Sequence, residues 1–251
     1  MQTARPFVMS IAGFDPSGGA GLLADVKTFE QLKVQGLAVC TAMTLQTESE
    51  FFGMQWQPLE EILNSLYCLM KSYDVKAVKI GVVKNAEFLN EIIKTIKLNN
   101  TEAKIVWDPV LKSTSEFSFF DLNNVSELKD VLHTIDLVTP NYNEYKVLKE
   151  NGFFENPRNS CAILMKGGHR EDNVGTDILL EKGEEISVEP HDRNCIYYPK
   201  HGSGCVLSSA ITGHLALGEN LEQACRNGKL YIEKFLTSTP ALLGFHSRMD
   251  H

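Results

Sequence analysis

Residues 7–21 of the chain read FVMSIAGFDPSGGAG, and this stretch decides the fold. The apolar run Phe7–Ala12 predicts a buried first strand, and the glycine-rich run Gly13–Gly21 predicts a tight turn into a helix over Gly21–Lys33. Glycines allow backbone N–H groups to approach a ligand closely at the start of a helix. No Gly-Lys-Ser/Thr follows, so the run is not a Walker loop. It is either a plain strand-to-helix turn or one side of a ligand site.

Short β-rich runs then alternate with longer runs of helical periodicity. This alternation predicts a mostly parallel sheet with helices on both faces, joined by right-handed crossovers. The later predicted strands are Leu37–Leu45, Val75–Ile80, Lys104–Trp107, Asp136–Val138, Ala162–Met165, Thr176–Glu181 and Glu185–Val188. The later predicted helices are Leu59–Ser72, Ala86–Leu98, Val125–His133, Gly204–Leu217 and Leu221–Leu236. No Pro/Gly/Ser-rich linker divides this pattern, so we expect one α/β domain over residues 1–251.

The composition narrows the class of partner and the compartment. The 251 residues are 43% hydrophobic and carry a formal net charge of -8, which suits neither nucleic acid nor anionic membranes. The six cysteines form no CxxC pair and have no histidine at zinc-site spacing. No secretory segment precedes the first strand, and no run approaches the roughly 18 apolar residues of a membrane span. We therefore expect a cytoplasmic protein with free thiols.

Polar residues follow several predicted strands, at the edge where open α/β sheets bind ligands. Asp108 follows one strand, and Asn141 with Glu144 follows the next. Acids at such positions can hold hydrated Mg²⁺ near phosphates, but Asn141 and Glu144 also have the spacing of a capping box. Gln46, at the end of the second strand, offers both a donor and an acceptor to a heterocycle edge. An isolated glutamine carries little weight by itself.

Asp25 is the unusual residue of the first predicted helix. It lies within the apolar arc that Leu22, Val26, Phe29 and Leu32 define. A carboxylate on a buried edge is costly unless it is paired. Two interpretations remain: a salt bridge to a nearby lysine, or an acceptor for a ligand amine or hydroxyl. The glycine-rich turn beside it favours the ligand.

The run His201-Gly202-Ser203-Gly204-Cys205 opens a long predicted helix. Its glycines free successive N–H groups to point at an anion, and the helix dipole adds positive potential. Charge that develops on a transferred phosphoryl group could be stabilised there. Cys205 lies in the first turn, where a thiolate is favoured and could take a proton from a substrate hydroxyl. The plainer interpretation is a small buried cysteine in a glycine-capped helix.

Taken in order, these motifs resemble the hydroxymethylpyrimidine/phosphomethylpyrimidine kinases of thiamine biosynthesis, within the ribokinase superfamily. The resemblance covers about residues 7–235, and its most specific part is the opening segment Ile11–Gly21 with Ala24–Phe29. The later matching motifs are Val78-Lys79-Ile80-Gly81, Asp108-Pro109-Val110, Thr139-Pro140-Asn141 with Glu144, Lys166-Gly167-Gly168-His169 and the run from His201 to Cys205. The resemblance implies a ribokinase-like three-layer α/β/α fold with a central, mostly parallel sheet. It also implies a homodimer.

The activity that the resemblance implies is transfer of a phosphoryl group from ATP, with Mg²⁺, to the hydroxymethyl group of 4-amino-5-hydroxymethyl-2-methylpyrimidine. The resulting monophosphate is a possible second substrate. The turn of Gly202, Ser203 and Gly204 would be the anion hole, with Cys205 where many superfamily members carry a catalytic Asp. Such an inventory is chemically sufficient, because phosphoryl transfer asks mainly for positioning and charge neutralisation.

The resemblance also implies which residues bind the substrate, nucleotide and metal. Those that hold or enclose the pyrimidine would be Gly13, Asp25 and Gln46, with Ala20, Thr44, Val82 and Val110 lining the pocket. Asp108 and Glu144 would organise Mg²⁺ and its waters. The nucleotide would lie near Asn141, Glu144, Lys166, Gly167 and Gly168.

The chain departs from the family pattern in places. Phe14 stands where Ser or Thr is usual, Glu48–Phe52 replaces Asn-Thr-x-Gly-Val, and Pro199-Lys200 stands where Thr or Asn is common. The chain is also short by about one helix between Leu148 and Cys161. One alternative is a pyridoxine or pyridoxal kinase of the same Cys-type branch, against which Gln46 argues. Another is a non-catalytic ligand-binding homologue.

Overall fold

The computed structural model describes residues 4–111, 119–121, 128, 132–154, 161–168 and 175–247. The strands are β1 (Phe7–Phe14), β2 (Gln35–Gln46), β3 (Phe51–Trp56), β4 (Val75–Ile80), β5 (Lys104–Trp107), β6 (Leu137–Val138), β7 (Ala162–Met165), β8 (Asp177–Glu181) and β9 (Glu184–Val188). The helices are α1 (Gly21–Gln31), α2 (Leu59–Ser72), α3 (Ala86–Asn99), α4 (Tyr142–Glu150), α5 (Ser203–Ala216) and α6 (Leu221–Thr237).

The described strands form one sheet in the order β3-β2-β1-β4-β5-β6-β7-β8-β9. The six strands from β2 to β7 in this order are mutually parallel. At the edges, β3 pairs antiparallel with β2, and β8 and β9 continue antiparallel from β7. The predicted mostly parallel α/β sheet is confirmed.

Alternate residues of each central strand point to opposite faces of the sheet, and each face packs under its own helices. Met9, Ile11 and Ile80 belong to the core that includes α2 and α3. Val8 and Ala77 belong to the core that includes α1, α5 and α6. The ribokinase-like three-layer α/β/α arrangement is thereby confirmed. No helix within the described ranges is long and apolar enough to cross a membrane.

Two elements were not predicted. β3 is an edge strand with only partly buried or exposed residues, so its sequence carries no strong strand pattern. α4 buries only Leu148, although its start was foreshadowed by Asn141 and Glu144, which form a capping box. Most of the predicted helix Val125–His133 and of the shortened segment before Cys161, together with His169, lies outside the described residues.

Candidate active site

A cavity of about 380 Å³ opens beyond the carboxyl ends of the parallel strands. Its volume lies within the range of small-molecule sites. The residues that line it at strand ends include Gly13 on β1, Gln46 on β2, Val82 after β4, Asp108 after β5 and Lys166 after β7. Every site residue predicted from the sequence lines this cavity except Asp25 and Gly167. The carboxyl ends of the strands therefore bring these residues to one cavity, and their roles stay predictions.

The small and apolar residues that were predicted to enclose a heterocycle all belong to the cavity lining. They are Gly13, Ala20, Thr44, Val82 and Val110. The Thr44 hydroxyl donates to the Phe14 carbonyl at 2.9 Å, which ties β2 to β1.

Gln46 adds a polar group to this part of the cavity lining. Its half-buried side chain lines the cavity, and no hydrogen bond to its amide is found within the described ranges. A free amide offers one acceptor and two donors to a ring edge.

Asp15 organises the glycine-rich turn after β1, a role that the sequence analysis missed. Its carboxylate accepts the N–H groups of Ser17 and Ala20, both at 2.9 Å, and contacts His201 Nε2 at 2.9 Å. Burial raises the pKa of Asp15, but hydrogen bonds from His201 and Ser17 outweigh it and hold the pKa below its ordinary value. The signal was present as an Asp-Pro-Ser sequence, which is typical of a carboxylate that bonds the backbone two residues on.

The second glycine turn meets the first at the start of α5. Gly202 has φ of 72°, and a Cβ there would lie 2.1 Å from the Gly19 carbonyl oxygen. Only glycine fits so close an approach in this backbone conformation. The first N–H groups of a helix have no partner within it, and here Ser203, Gly204 and Cys205 line the cavity. The structure thus presents a helix N-terminus that can receive an anion.

Asp108 and Lys166 form a charged pair beside this helix N-terminus. Lys166 Nζ lies 2.9 Å from Asp108 Oδ1, and the hydroxyls of Thr139 and Ser208 donate to the same carboxylate at 3.2 and 3.1 Å. Burial raises the pKa of Asp108, yet Lys166 and Lys79 together hold it below the ordinary value. Burial lowers the pKa of Lys166, but the nearby Asp108 raises it, and overall the pKa lies above its ordinary value. Both groups therefore stay charged at neutral pH.

The donor set near Asp108 is compatible with Mg²⁺ that arrives with a nucleotide. Mg²⁺ is usually held by one or two carboxylates, together with phosphate oxygens and water. Asp108 is ionised and lines the cavity, so it fits this role. Glu144 also lines the cavity, but its carboxylate accepts the Asn141 N–H at 2.7 Å and burial raises its pKa. Among the described residues, no group of three or more His, Cys, Asp or Glu could hold a metal ion.

The protonation state expected for Cys205 was wrong. The position in the first turn of α5 favoured a thiolate, but burial raises the pKa of the thiol above its ordinary value. Lys79 and the backbone N–H of Gly21 lower the pKa by less. Asp25 and Asp108 raise it further. The thiol is therefore the dominant form at neutral pH.

Asp25 does not reach the cavity, contrary to its predicted contact with the substrate. The carboxylate is fully buried, and Lys79 Nζ donates to both of its oxygens, at 2.8 and 3.0 Å. Of the two interpretations left open by the sequence, the structure shows the salt bridge. Lys79 itself lines the cavity floor, although it has no solvent-exposed surface. It was quoted in the Val78–Gly81 motif but not proposed as a site residue.

Gly167 also lies behind the cavity surface. A Cβ at this position would lie 1.8 Å from the Thr176 carbonyl oxygen, and its N–H donates to Asp177 at 2.7 Å. Gly167 therefore packs β7 against β8, while Lys166 and Gly168 on either side line the cavity.

Known proteins share both the sequence and this architecture. The family model for phosphomethylpyrimidine kinase matches residues 15–250. A hydroxymethylpyrimidine/phosphomethylpyrimidine kinase from Aquifex aeolicus is 32% identical over 255 residues, which cover 96% of this chain and 98% of that protein. The crystal structure of phosphomethylpyrimidine kinase from Clostridium difficile has a TM-score of 0.72 at 31% identity, covering 91% of this chain and 98% of the other.

Bacillus subtilis pyridoxal kinase, solved as an ADP complex, has a TM-score of 0.76 at 23% identity and shows likeness of fold alone. It covers 93% of this chain and 92% of that structure. Sheet order, helical layers and the strand-end cavity define a ribokinase-like kinase. Within that class, the chain belongs to the phosphomethylpyrimidine kinase family.

Proposed function

We propose that this protein transfers the γ-phosphoryl group of ATP to the hydroxymethyl group of 4-amino-5-hydroxymethyl-2-methylpyrimidine, in thiamine biosynthesis or salvage. One observation carries the proposal. A single cavity is lined both by Gln46 and by the N-terminus of α5 with Cys205. Family membership independently supports the same activity.

Gln46 matches the edge of an aminopyrimidine. The exocyclic amine of the substrate is a donor, and the neighbouring ring nitrogen is an acceptor. A primary amide carries the complementary pair, so one side chain can make both bonds. Gly13 and Ala20 line the same cavity and leave room for a flat ring. Pyridoxal has no amine beside its ring nitrogen, so the same amide would make at most one of these bonds with it.

The charged residues of the cavity suit phosphoryl transfer. N–H groups at the start of α5 and the ammonium of Lys166 would stabilise charge on the phosphoryl oxygens as it moves. Asp108, and more remotely Glu144, would hold Mg²⁺, which neutralises nucleotide phosphates when bound. Asn141 and Gly168 line the same cavity and would contact the nucleotide. Cys205 lies at the helix start, where it would receive the hydroxyl proton.

The chain is proposed to act as one kinase domain, which the family match over residues 15–250 supports. All six cysteines are free thiols, which supports a reducing compartment such as the cytoplasm. The family resemblance implies a homodimer, and sedimentation of the purified protein tests it.

Steady-state kinetics with two substrates test the proposed activity. ATP consumption is measured with Mg²⁺ and either the hydroxymethylpyrimidine or pyridoxal, at matched concentrations. We expect kcat/KM to be higher for the pyrimidine, and we expect Gln46→Ala to lower it about 10- to 100-fold through KM, since a pair of bonds is lost. Gln55→Ala, on an exposed position of β3, is the matched control and should leave both constants unchanged.

Three outcomes are informative. A preference for pyridoxal would assign the chain to vitamin B6 phosphorylation and refute the role of Gln46. Binding of the pyrimidine without ATP consumption would support a non-catalytic homologue. Consumption of a second ATP per pyrimidine would show that the monophosphate is also a substrate.

A further inference from the structure

A buried polar cluster lies directly below the cavity and is not explained by substrate binding. It consists of Ser10 on β1, Lys79 on β4, Asp25 on α1 and Ser209 on α5, all with no exposed surface. Asp25 is its centre, because it accepts from Lys79 Nζ at 2.8 and 3.0 Å, from Ser10 Oγ at 2.5 Å and from Ser209 Oγ at 2.6 Å. Ser10, Lys79 and Ser209 therefore each have Asp25 as a hydrogen-bond acceptor.

Helical periodicity places this cluster one turn below Cys205. Ser209 follows Cys205 by four residues on α5, so the two share a face. Asp25 follows Gly21 by four residues on α1 in the same way. Asp25 accepts from Ser209 at 2.6 Å in the lower layer, and Gly21 and Cys205 both line the cavity in the upper layer. The two helices thus face each other at two levels, and the upper level contains the thiol.

The sheet supplies the cation to these two levels. Ser10 and Lys79 are register partners in the β1–β4 pair, on the face that otherwise buries Val8 and Ala77. Lys79 lines the cavity floor whereas Asp25 does not. The ammonium therefore lies between its counterion and the reaction space. Burial lowers the pKa of Lys79, but Asp25 first, then Cys205 and Asp108, raise it above the ordinary value, so the group stays charged.

Stability alone does not account for a buried ion pair in this place. Desolvation of two charges offsets most of their attraction, and apolar replacements of similar volume are often equally stable. The position of Lys79 suggests a different role. The charged groups that act on Cys205 are Lys79, Asp25, Asp108 and Lys166. Of the two ammonium groups, Lys79 lowers the pKa of the thiol more. Without Lys79, Asp25 and Asp108 would oppose negative charge on the sulfur, and the smaller effect of Lys166 would be left to balance them.

We propose that Lys79, held in place by Asp25, is a positioning residue whose ammonium stabilises the thiolate of Cys205 during phosphoryl transfer. This inference rests on the proposed function. In the step, the hydroxymethyl oxygen forms a bond to the γ-phosphorus of ATP, the bond from that phosphorus to the β–γ bridging oxygen breaks, and ADP leaves. The hydroxyl proton passes to the Cys205 thiolate, which becomes a thiol and later returns the proton to water.

Alkylation of Cys205 by iodoacetamide tests this coupling without any substrate. The reaction needs the thiolate, and its rate at each cysteine is measured by mass spectrometry of the peptides. The informative variant is Lys79→Met with Asp25→Asn, which removes both charges and leaves no unpaired ion. We expect it to fold, to alkylate Cys205 at least 10-fold more slowly and to lose at least 10-fold in kcat. The KM for ATP should change less than 3-fold.

Controls separate this effect from loosened packing. The exposed Cys68 and Cys195 give an internal reference rate in the same protein. His214→Gln with Glu219→Gln removes a contact joined at 2.9 Å near the other end of α5, outside the cavity lining, and should leave the Cys205 rate unchanged. Asp25→Asn alone retains one acceptor oxygen to hold Lys79 and removes a negative charge that opposes the thiolate, so we expect Cys205 to react at least as fast as in the wild type. Loosened packing would accelerate alkylation in both variants that carry Asp25→Asn. The charge effect instead slows alkylation in the double variant and does not slow it in the single variant.

A wild-type alkylation rate in the double variant would overturn the proposal. If the double variant does not fold, Asp25→Asn decides, and slower alkylation there would overturn it equally. If the alkylation rates are as predicted but the wild type consumes no ATP with the pyrimidine, the coupling between Lys79 and Cys205 stands and the proposed function is refuted. The two failures are therefore distinguishable.

Discussion

The contact between the two glycine turns gives a sharp prediction for Gly202→Ala. Gly202 has φ of 72°, and an added Cβ would lie 2.1 Å from Gly19 O and 2.7 Å from Ala20 Cα. Both are backbone atoms of a turn that Asp15 ties down through hydrogen bonds to Ser17 and Ala20. The methyl group therefore cannot be accommodated by rotating a side chain, and the two turns must separate.

The size of the effect follows from this geometry. A left-handed backbone conformation costs a non-glycine residue about 1–2 kcal/mol, and overpacking adds about 1–3 kcal/mol. We therefore expect the free energy of unfolding to fall by about 2–5 kcal/mol. Relief of the contact moves the start of α5 by about 1 Å from the glycine-rich turn, and a displacement of that size costs roughly 100-fold in rate. We expect the loss mainly in kcat.

Gly218→Ala is the matched control, because it lies at the other end of α5 with φ of 91° and no atom within 4 Å of the added Cβ. It should lose about 1 kcal/mol of stability from the backbone alone and keep the wild-type kcat. Urea unfolding and steady-state kinetics measure both variants. A Gly202→Ala enzyme with kcat within threefold of the wild type would refute the idea that contact between the turns sets the geometry of the site.

Two further predictions concern charge. Asp108→Asn keeps one acceptor oxygen in place of the two that bind Thr139 and Ser208, and it loses the negative charge. We therefore expect kcat to fall at least 100-fold and the Mg²⁺ concentration for half-maximal rate to rise, whereas an unchanged Mg²⁺ titration would remove Asp108 as its ligand. Burial lowers the pKa of His246 from 6.5 to about 4, so the unfolded chain binds a proton between these values and stability must fall as pH drops through them. Urea unfolding at pH 7 and 4.5 measures this loss of stability, which should be smaller in His246→Gln than in the wild type. An equal loss in the two proteins would contradict the assignment.

Much of the fold was readable from periodicity. The predicted bounds of α2, β4, β5 and β7 coincide with those in the structure. These elements carry strong apolar patterns between clear breaks, such as Pro58 before α2. β3 could not be read in this way, because its half-exposed residues acquire their conformation from antiparallel pairing with β2. For such edge strands tertiary context overrides local propensity.

The site was readable where it follows strand ends and unreadable where it depends on partners. The position of Asp25 on the helical wheel showed that it is buried, but a wheel cannot show which group faces it. That group is Lys79, which the β4 run VKAVKI presents as an ordinary alternating residue. Burial around Cys205 was equally invisible, so the helix dipole alone gave the wrong protonation state.

The product of the reaction tests the central claim most directly. The purified protein is incubated with ATP, Mg²⁺ and 4-amino-5-hydroxymethyl-2-methylpyrimidine, and the products are examined by ³¹P NMR and mass spectrometry. We predict ADP and a phosphomonoester whose phosphorus couples to the two methylene protons of the former hydroxymethyl group. ADP formation with inorganic phosphate as the only new phosphorus signal, or no reaction by the folded protein, would contradict the claim.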